Sequence, residues 1–154
     1  MRAIKMSPGR APRRTRLSQF AATIQPAKEA AVRLKQRVGR FAAYDFLEAI
    51  YRVHIDWKCR KIANRSAQTL ANELSIVRRK GMSTIRILIE AVLPEADFKQ
   101  KSRWVRALEY VYSENVLPTR FRKFVRTSGG VAGCARLAVH VSRKRRRPGG
   151  DWID

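Results

Sequence analysis

The sequence predicts an all-α protein, a compact bundle of about five to seven helices set between disordered basic N- and C-terminal tails. Three observations lead there. Glycine and proline are missing between Arg40 and Lys80, and between Met82 and Ser128 only Pro94 and Pro118 occur, so nothing interrupts long helical runs. Apolar residues recur at spacings of three and four. Charge is segregated: residues 1–40 carry eleven Lys or Arg and one acid, 41–115 carry thirteen and nine, and 116–154 carry ten and two. A nearly balanced middle therefore sits between two cationic ends. The expected division is a basic arm over 1–24, a helical domain over 25–142 and a basic tail over 143–154.

Taken in order, Pro26 opens a helix over 27–38, with Ala30, Ala31, Leu34 and Val38 on one face before Gly39. A longer helix spans 41–64, where Phe46, Ile50, Val53 and Trp57 step by four, three and four. Asp45 and Glu48 lie at its start and Lys58, Arg60, Lys61 and Arg65 at its end, the order the helix dipole favours. Ser66 can cap a short helix carrying Leu70 and Leu74, and 76–81 reads as a basic turn into a helix over 83–93. In that segment Ile85, Ile87 and Ile89 alternate as in a strand, while Ile85, Leu88, Ile89 and Val92 form a helical face, and the helical neighbours decide for helix. After Pro94 the stretch 99–115 is amphipathic, with Trp104, Val105, Leu108, Val111 and Tyr112 inward and Arg103, Arg106, Glu109 and Glu114 outward. Pro118 begins a helix packed by Phe121, Phe124 and Val125. Ser128-Gly129-Gly130 then turns the chain into a small-residue helix over 131–143.

With 34 Lys and Arg against 12 Asp and Glu the chain carries +22, more than solubility requires, so an anionic partner is expected. Cys59 and Cys134 have no metal or redox spacing and read as small packing residues of a reducing compartment. Lys or Arg breaks every hydrophobic stretch, so no membrane span is expected, and neither tail sets apolar residues beside its charges as a lipid-binding helix would. The expected location is the cytoplasm.

Three stretches could carry function. Leu70–Ile76 followed by Ser83–Leu88 is similar to the helices of a helix-turn-helix, but Val77-Arg78-Arg79-Lys80-Gly81-Met82 lengthens the usual turn of three or four residues. Two readings stand: core helices joined by a solvated basic loop, or a groove-docking unit using Ser83, Thr84 and Arg86. On either, Arg78, Arg79 and Lys80 precede a helix N-terminus whose N–H groups suit a phosphate. The second stretch, 124–136, places a glycine turn between two helices like a helix-hairpin-helix. Gly130 and Gly133 are nonetheless three apart rather than two, and a glycine cap with tight packing at Gly133 and Ala135 fits as well. Arg120, Arg122, Lys123 and Arg126 make the segment before it cationic and would extend a phosphate-binding face. The third is the pair of tails, with Arg10, Arg13, Arg14 and Arg16 at one end and Arg143, Lys144, Arg145, Arg146 and Arg147 at the other. Trp57 and Trp104 fall on apolar stripes and read as core anchors, whereas Trp152 sits in a charged tail where it could stack on a base, dock on a protein or stay exposed.

Catalysis is not expected. His54 and His140 are the only histidines and read as packing residues, so no metal or cofactor site is foreseen. Asp56-Trp57-Lys58 and Asp97-Phe98-Lys99 each supply an acid-x-Lys fragment of the kind nucleases place on a strand, and neither reads as a strand. The segments FKQKSRWVRALEYVYSENVLP and FVRTSGGVAGCARLA, within about 82–139, resemble small basic proteins of unknown function encoded on plasmids and mobile elements of rhizobia and related α-proteobacteria. The resemblance implies a bacterial, plasmid-linked setting and no mechanism. The expectation is a nucleic-acid-binding protein acting through phosphate contacts, with DNA preferred to RNA and a nucleoid association if DNA is bound. The alternative is a non-catalytic module that docks a protein partner or self-associates, its cationic tails holding acidic surfaces.

Overall fold

The computed structural model of the chain describes residues 13–146 apart from Val38 and Arg40, with side chains described over 21–143. Within them the chain is entirely helical, with no strand. The elements are α1 (Arg13–Lys35), α2 (Ala42–Cys59), α3 (Ala63–Glu73), α4 (Thr84–Val92), α5 (Phe98–Ser113), a 3-10 turn (Pro118–Arg120), α6 (Phe121–Thr127) and α7 (Gly130–Arg146).

Two helices reach into the segments expected as tails. Helix α1 begins at Arg13 and carries Pro26 inside it rather than at its first position. Proline removes one backbone donor there, but Ile24, Ala27, Ala30 and Ala31 are all buried, and α1 lies along α2. Small side chains let the two helices approach closely, and Ile24 extends the stripe upstream of the proline. Residues 13–24 of the expected basic arm thus lie within α1. At the other end α7 continues to Arg146, so Arg143 to Arg146 are helical rather than tail. Residues 1–12 and 147–154, with Arg10, Arg147 and Trp152, lie outside the described residues.

Helix α4 settles the strand-or-helix ambiguity. Ile85, Ile87, Leu88 and Ile89 are each at most 1% exposed, because the helix is buried on nearly every side by α1, α2, α3 and α5. A helix enclosed in this way needs apolar residues at both periods. Ser83 caps it, its Oγ accepting the Arg86 N–H at 3.3 Å. Around α4 the core is aromatic: the Phe46 and Trp104 rings lie 5.4 Å apart, as do Tyr51 and Phe121, and Trp57 is buried. The Tyr51 hydroxyl donates to the Val116 carbonyl at 2.6 Å, and burial pushes its pKa up to about 12, with Tyr112 adding to the shift.

Helix α2 stops at Cys59, not at residue 64, and α3 starts at Ala63. Ser66 therefore lies inside α3, buried, and is not its cap. Three helices end alike. Lys61, Ser75 and Asn115 take left-handed backbone angles (φ 56°, 53° and 54°). The next residue, Ile62, Ile76 or Val116, then donates its N–H back five residues to the Trp57, Ala71 or Val111 carbonyl. Each of these apolar residues packs on the core. This is a Schellman closure with its hydrophobic contact, made without glycine, which is why glycine spacing failed to mark these ends. Asp97 caps α5, its Oδ2 accepting the Lys99 and Gln100 N–H groups. Tyr112, expected inward, is 37% exposed and meets the His54 ring edge-on at 4.8 Å.

Candidate nucleic-acid interface

Residues 74–83 link α3 to α4. After the closure at Ser75 and Ile76 the chain runs free of regular structure, Gly81 supplies a left-handed residue (φ 80°), and the Met82 N–H donates to the Arg79 carbonyl at 3.0 Å. This connection is longer than the usual helix-turn-helix link, and α4 is mostly buried, with only Arg86, Glu90 and Ala91 half-buried along one side. Ser83 spends its hydroxyl on the cap and Thr84 is buried. Arg86 pairs with Glu90 at 2.9 Å, donates to the Ser102 Oγ at 3.1 Å and lies 4.8 Å over the Phe98 ring. Ser83, Thr84 and Arg86, expected as groove-reading residues, are thus engaged in capping, core packing and internal bonds.

The basic loop fares differently. Arg78 donates to the Gln68 side chain, which holds it beside α3. Arg79 and Lys80 are exposed and make no ion pair with another described residue. A pocket of about 270 Å³ opens at the start of α4, lined by His54 and Lys58 from α2, Asn64 from α3, Arg78, Ser83 and Thr84, with Glu109 and Tyr112 from α5, while Arg79 and Lys80 line a neighbouring groove. Since Ser83 satisfies the Arg86 N–H, the Thr84 and Ile85 N–H groups remain without an intrahelical partner. Lys58 Nζ stands 5.8 Å from the Tyr112 ring centroid. Two cations, an amide side chain and the positive end of a helix thus surround one small space, with Glu109 as the opposing charge.

His54 forms one wall of that pocket. It is 4% exposed, and its Nδ1 is the one buried side-chain polar atom without a hydrogen-bond partner among the described residues. Burial, with Lys58 adding to it, lowers its pKa to about 4, so the ring is neutral near pH 7.

The basic residues of the 120–126 segment are elsewhere. Arg122 pairs with Asp45 and Glu48 at the start of α2, and Arg52 pairs with the same Glu48 at 2.8 Å. Burial pushes the Glu48 carboxyl up, but the Arg122 and Arg52 hydrogen bonds outweigh it and hold its pKa below the usual value. Arg122, expected on a phosphate-binding face, thus ties α6 to α2 through Asp45 and Glu48. Arg126 lies 5.6 Å over the Phe41 ring, while Arg120 and Lys123 are exposed. Glu48 and Lys58 lie ten positions apart on α2, about 15 Å along its axis at 1.5 Å per residue. The Arg120–Arg126 cations and the Arg78–Lys80 cations therefore mark opposite ends of α2 and do not form one cluster.

The glycine turn is a packing device. Gly129 and Gly130 are left-handed (φ 85° and 75°), and the Gly133 N–H donates to the Gly129 carbonyl at 3.2 Å. A Cβ on Gly133 would lie 3.0 Å from the Ser128 carbonyl carbon and closer still to its oxygen, so glycine is required for the approach of the turn to α7. Arg143 is exposed; the side chains of Lys144, Arg145 and Arg146 lie outside the described residues.

Sequence reasoning missed Lys58, Asn64 and Tyr112 as companions of the loop. One signal was legible, since Lys58 follows His54 by four residues on one helix face. The others join only because α3 and α5 fold back. Among the described residues no group of three or more His, Cys, Asp or Glu comes together as a metal site, and no helix is long and apolar enough to cross a membrane. The chain matches no family model, no curated protein and no solved structure.

Proposed function

We propose that the protein is a non-catalytic nucleic-acid-binding protein that holds the phosphate backbone through the 74–83 segment. The observation that carries this reading is the pocket where Lys58, Arg78 and the free N–H groups of α4 converge, with the exposed, unpaired cations Arg79 and Lys80 following Arg78 in the chain. One phosphate can enter the pocket while Arg79 and Lys80 neutralise its neighbours. Counterion release then supplies the affinity, and no recognition helix is involved. DNA is preferred to RNA on the likeness of 98–118 and 124–138 to plasmid-borne proteins, which also favours a bacterial cytoplasm and the nucleoid.

The test is anisotropy with a labelled 20-base-pair duplex and a matched RNA over a range of salt. Replacing Arg79 and Lys80 with Gln should flatten the slope of log K against log salt by about 0.9 per lost contact on B-DNA and leave the unfolding midpoint unchanged. Arg122→Gln should do the reverse, lowering the midpoint with the slope intact, because Arg122 serves Asp45 and Glu48. An unchanged slope in the Arg79→Gln/Lys80→Gln variant would defeat the reading.

A further inference from the structure

Next to that pocket, and sharing Met82, Ser83 and Glu109 with it, lies an open groove of about 950 Å³ between the 74–83 segment, α4 and α5. Its floor is half-buried and apolar, with Ile76, Met82, Ala91 and Val105. Its edges are more exposed: Leu74 is 50% accessible, Phe98 65% and Val77 82%. Of the eight large hydrophobic residues exposed among the described residues, these three line one groove. Single exposed apolar residues are ordinary, but three converging on an apolar floor are the mark of a binding surface. The fold does not need Val77 to be apolar, since Ile76 closes α3 and Val77 points away.

The groove's charge says what fits it. Glu90 is shared by Arg86 at 2.9 Å and by Lys101 at 2.7 Å, so this buried triad keeps one positive charge in excess. Arg79, Lys80 and Arg106 add three more cations along the edges, against the single carboxylate of Glu109. From this complementarity we infer that the groove docks an amphipathic helix of a partner protein, laying an apolar stripe between Val77 and Phe98 with carboxylates beside Arg79, Lys80 and Arg106. A second copy of this chain is a poor occupant, because each copy brings +22 and the same cationic rim. Leu74 and Val77 offer nucleic acid neither charge nor a stacking face, and one face of the Phe98 ring is already covered by Arg86. The inference does not rest on phosphate binding; Arg79 and Lys80 serve both readings, whereas Leu74, Val77 and Phe98 belong to the groove alone.

The full-length protein would be titrated into a labelled 18-residue synthetic helix with leucines at i, i+3 and i+7 and flanking glutamates, and into a scrambled peptide of identical composition. The striped peptide should bind at least tenfold tighter than the scramble at 0.15 M salt. The Val77→Ser/Phe98→Ser variant, changed only at exposed positions, should lose at least tenfold for the striped peptide while keeping its unfolding midpoint and its duplex affinity. Equal binding of the two peptides, or unchanged binding by the variant, would show that charge alone acts and would overturn the inference. Two further outcomes would also overturn it: a dimer in sedimentation that the variant disperses, and a parallel loss of duplex affinity, which would place nucleic acid in the groove.

Discussion

His54 combines a buried ring, an unpartnered Nδ1 and a pKa near 4, which together make a pH liability. In the unfolded chain a histidine titrates near 6.5, so as pH falls through 6.5 the unfolded state takes up a proton that the folded state refuses until pH 4. Stability contributed by this residue is therefore intact above 6.5 and lost between 6.5 and 4, by about 2 kcal/mol at pH 5. His54→Leu should erase that loss. Urea unfolding of both proteins at pH 7.5 and pH 5 checks it, since the gap between them should shift by about that amount, and a pH-independent gap would refute the assignment. At this scale the sequence was partly legible. It identified His54 as a packing residue and Trp57 and Trp104 as anchors, and all three are buried. It did not expose the lack of a partner for Nδ1, which depends on what α5 brings against α2, nor the burial of Lys101, whose Nζ donates to Glu90 and the Pro94 carbonyl.

Among the elements, the helices themselves were legible because their stripes are periodic; their ends were not. Three closures use Lys61, Ser75 and Asn115 in left-handed geometry, with the following Ile or Val as the packing signal, and such residues do not stand out in a sequence read for glycine and proline. Pro26 misled in the opposite direction, because packing against α2 outweighs a single missing donor. Gly133 was legible as a packing glycine and gives a sharp test. An alanine there gains up to about 1 kcal/mol of helix propensity, but its Cβ meets the backbone carbonyl of Ser128, which cannot swing aside, at a cost of about 1–3 kcal/mol for overpacking. The clash wins, so Gly133→Ala should lower the thermal midpoint by several degrees. A raised midpoint would mean that the α6–α7 turn relaxes freely.

For the whole molecule, the nearly neutral middle supplies most of the core, joined by Ile24, Ala27, Ala30 and Ala31 from α1 and by Phe121, Val125, Cys134 and Ala135 from α6 and α7. What the sequence concealed is that the two internal cationic segments sit at opposite ends of α2 and that one short helix is enclosed by four others. That enclosure was hidden because a pattern of isoleucines does not reveal whether a helix has an outer face. The groove was hidden for a related reason: Val77 and Phe98 are isolated apolar residues in polar surroundings until folding sets them together. Hydrogen exchange should rank the elements accordingly. The amides of Leu88 and Ile89 should exchange only through global unfolding, and those of 77–80 should exchange fastest. Early exchange in α4 would contradict its central place.

The burial of α4 also bears on how the protein fails. Ile85-Arg86-Ile87-Leu88-Ile89 has the alternating, branched composition of an aggregation-prone strand, and in an opened chain Arg86 and Glu90 are the only charges flanking its apolar run closely. While the bundle is closed, the backbone amides of this segment are spent on a helix and unavailable for pairing with another molecule. Any lesion that loosens the surrounding helices releases it, so heating should deliver the chain into insoluble assemblies instead of a recoverable coil. The integrity of nine central residues then governs the solubility of the entire protein.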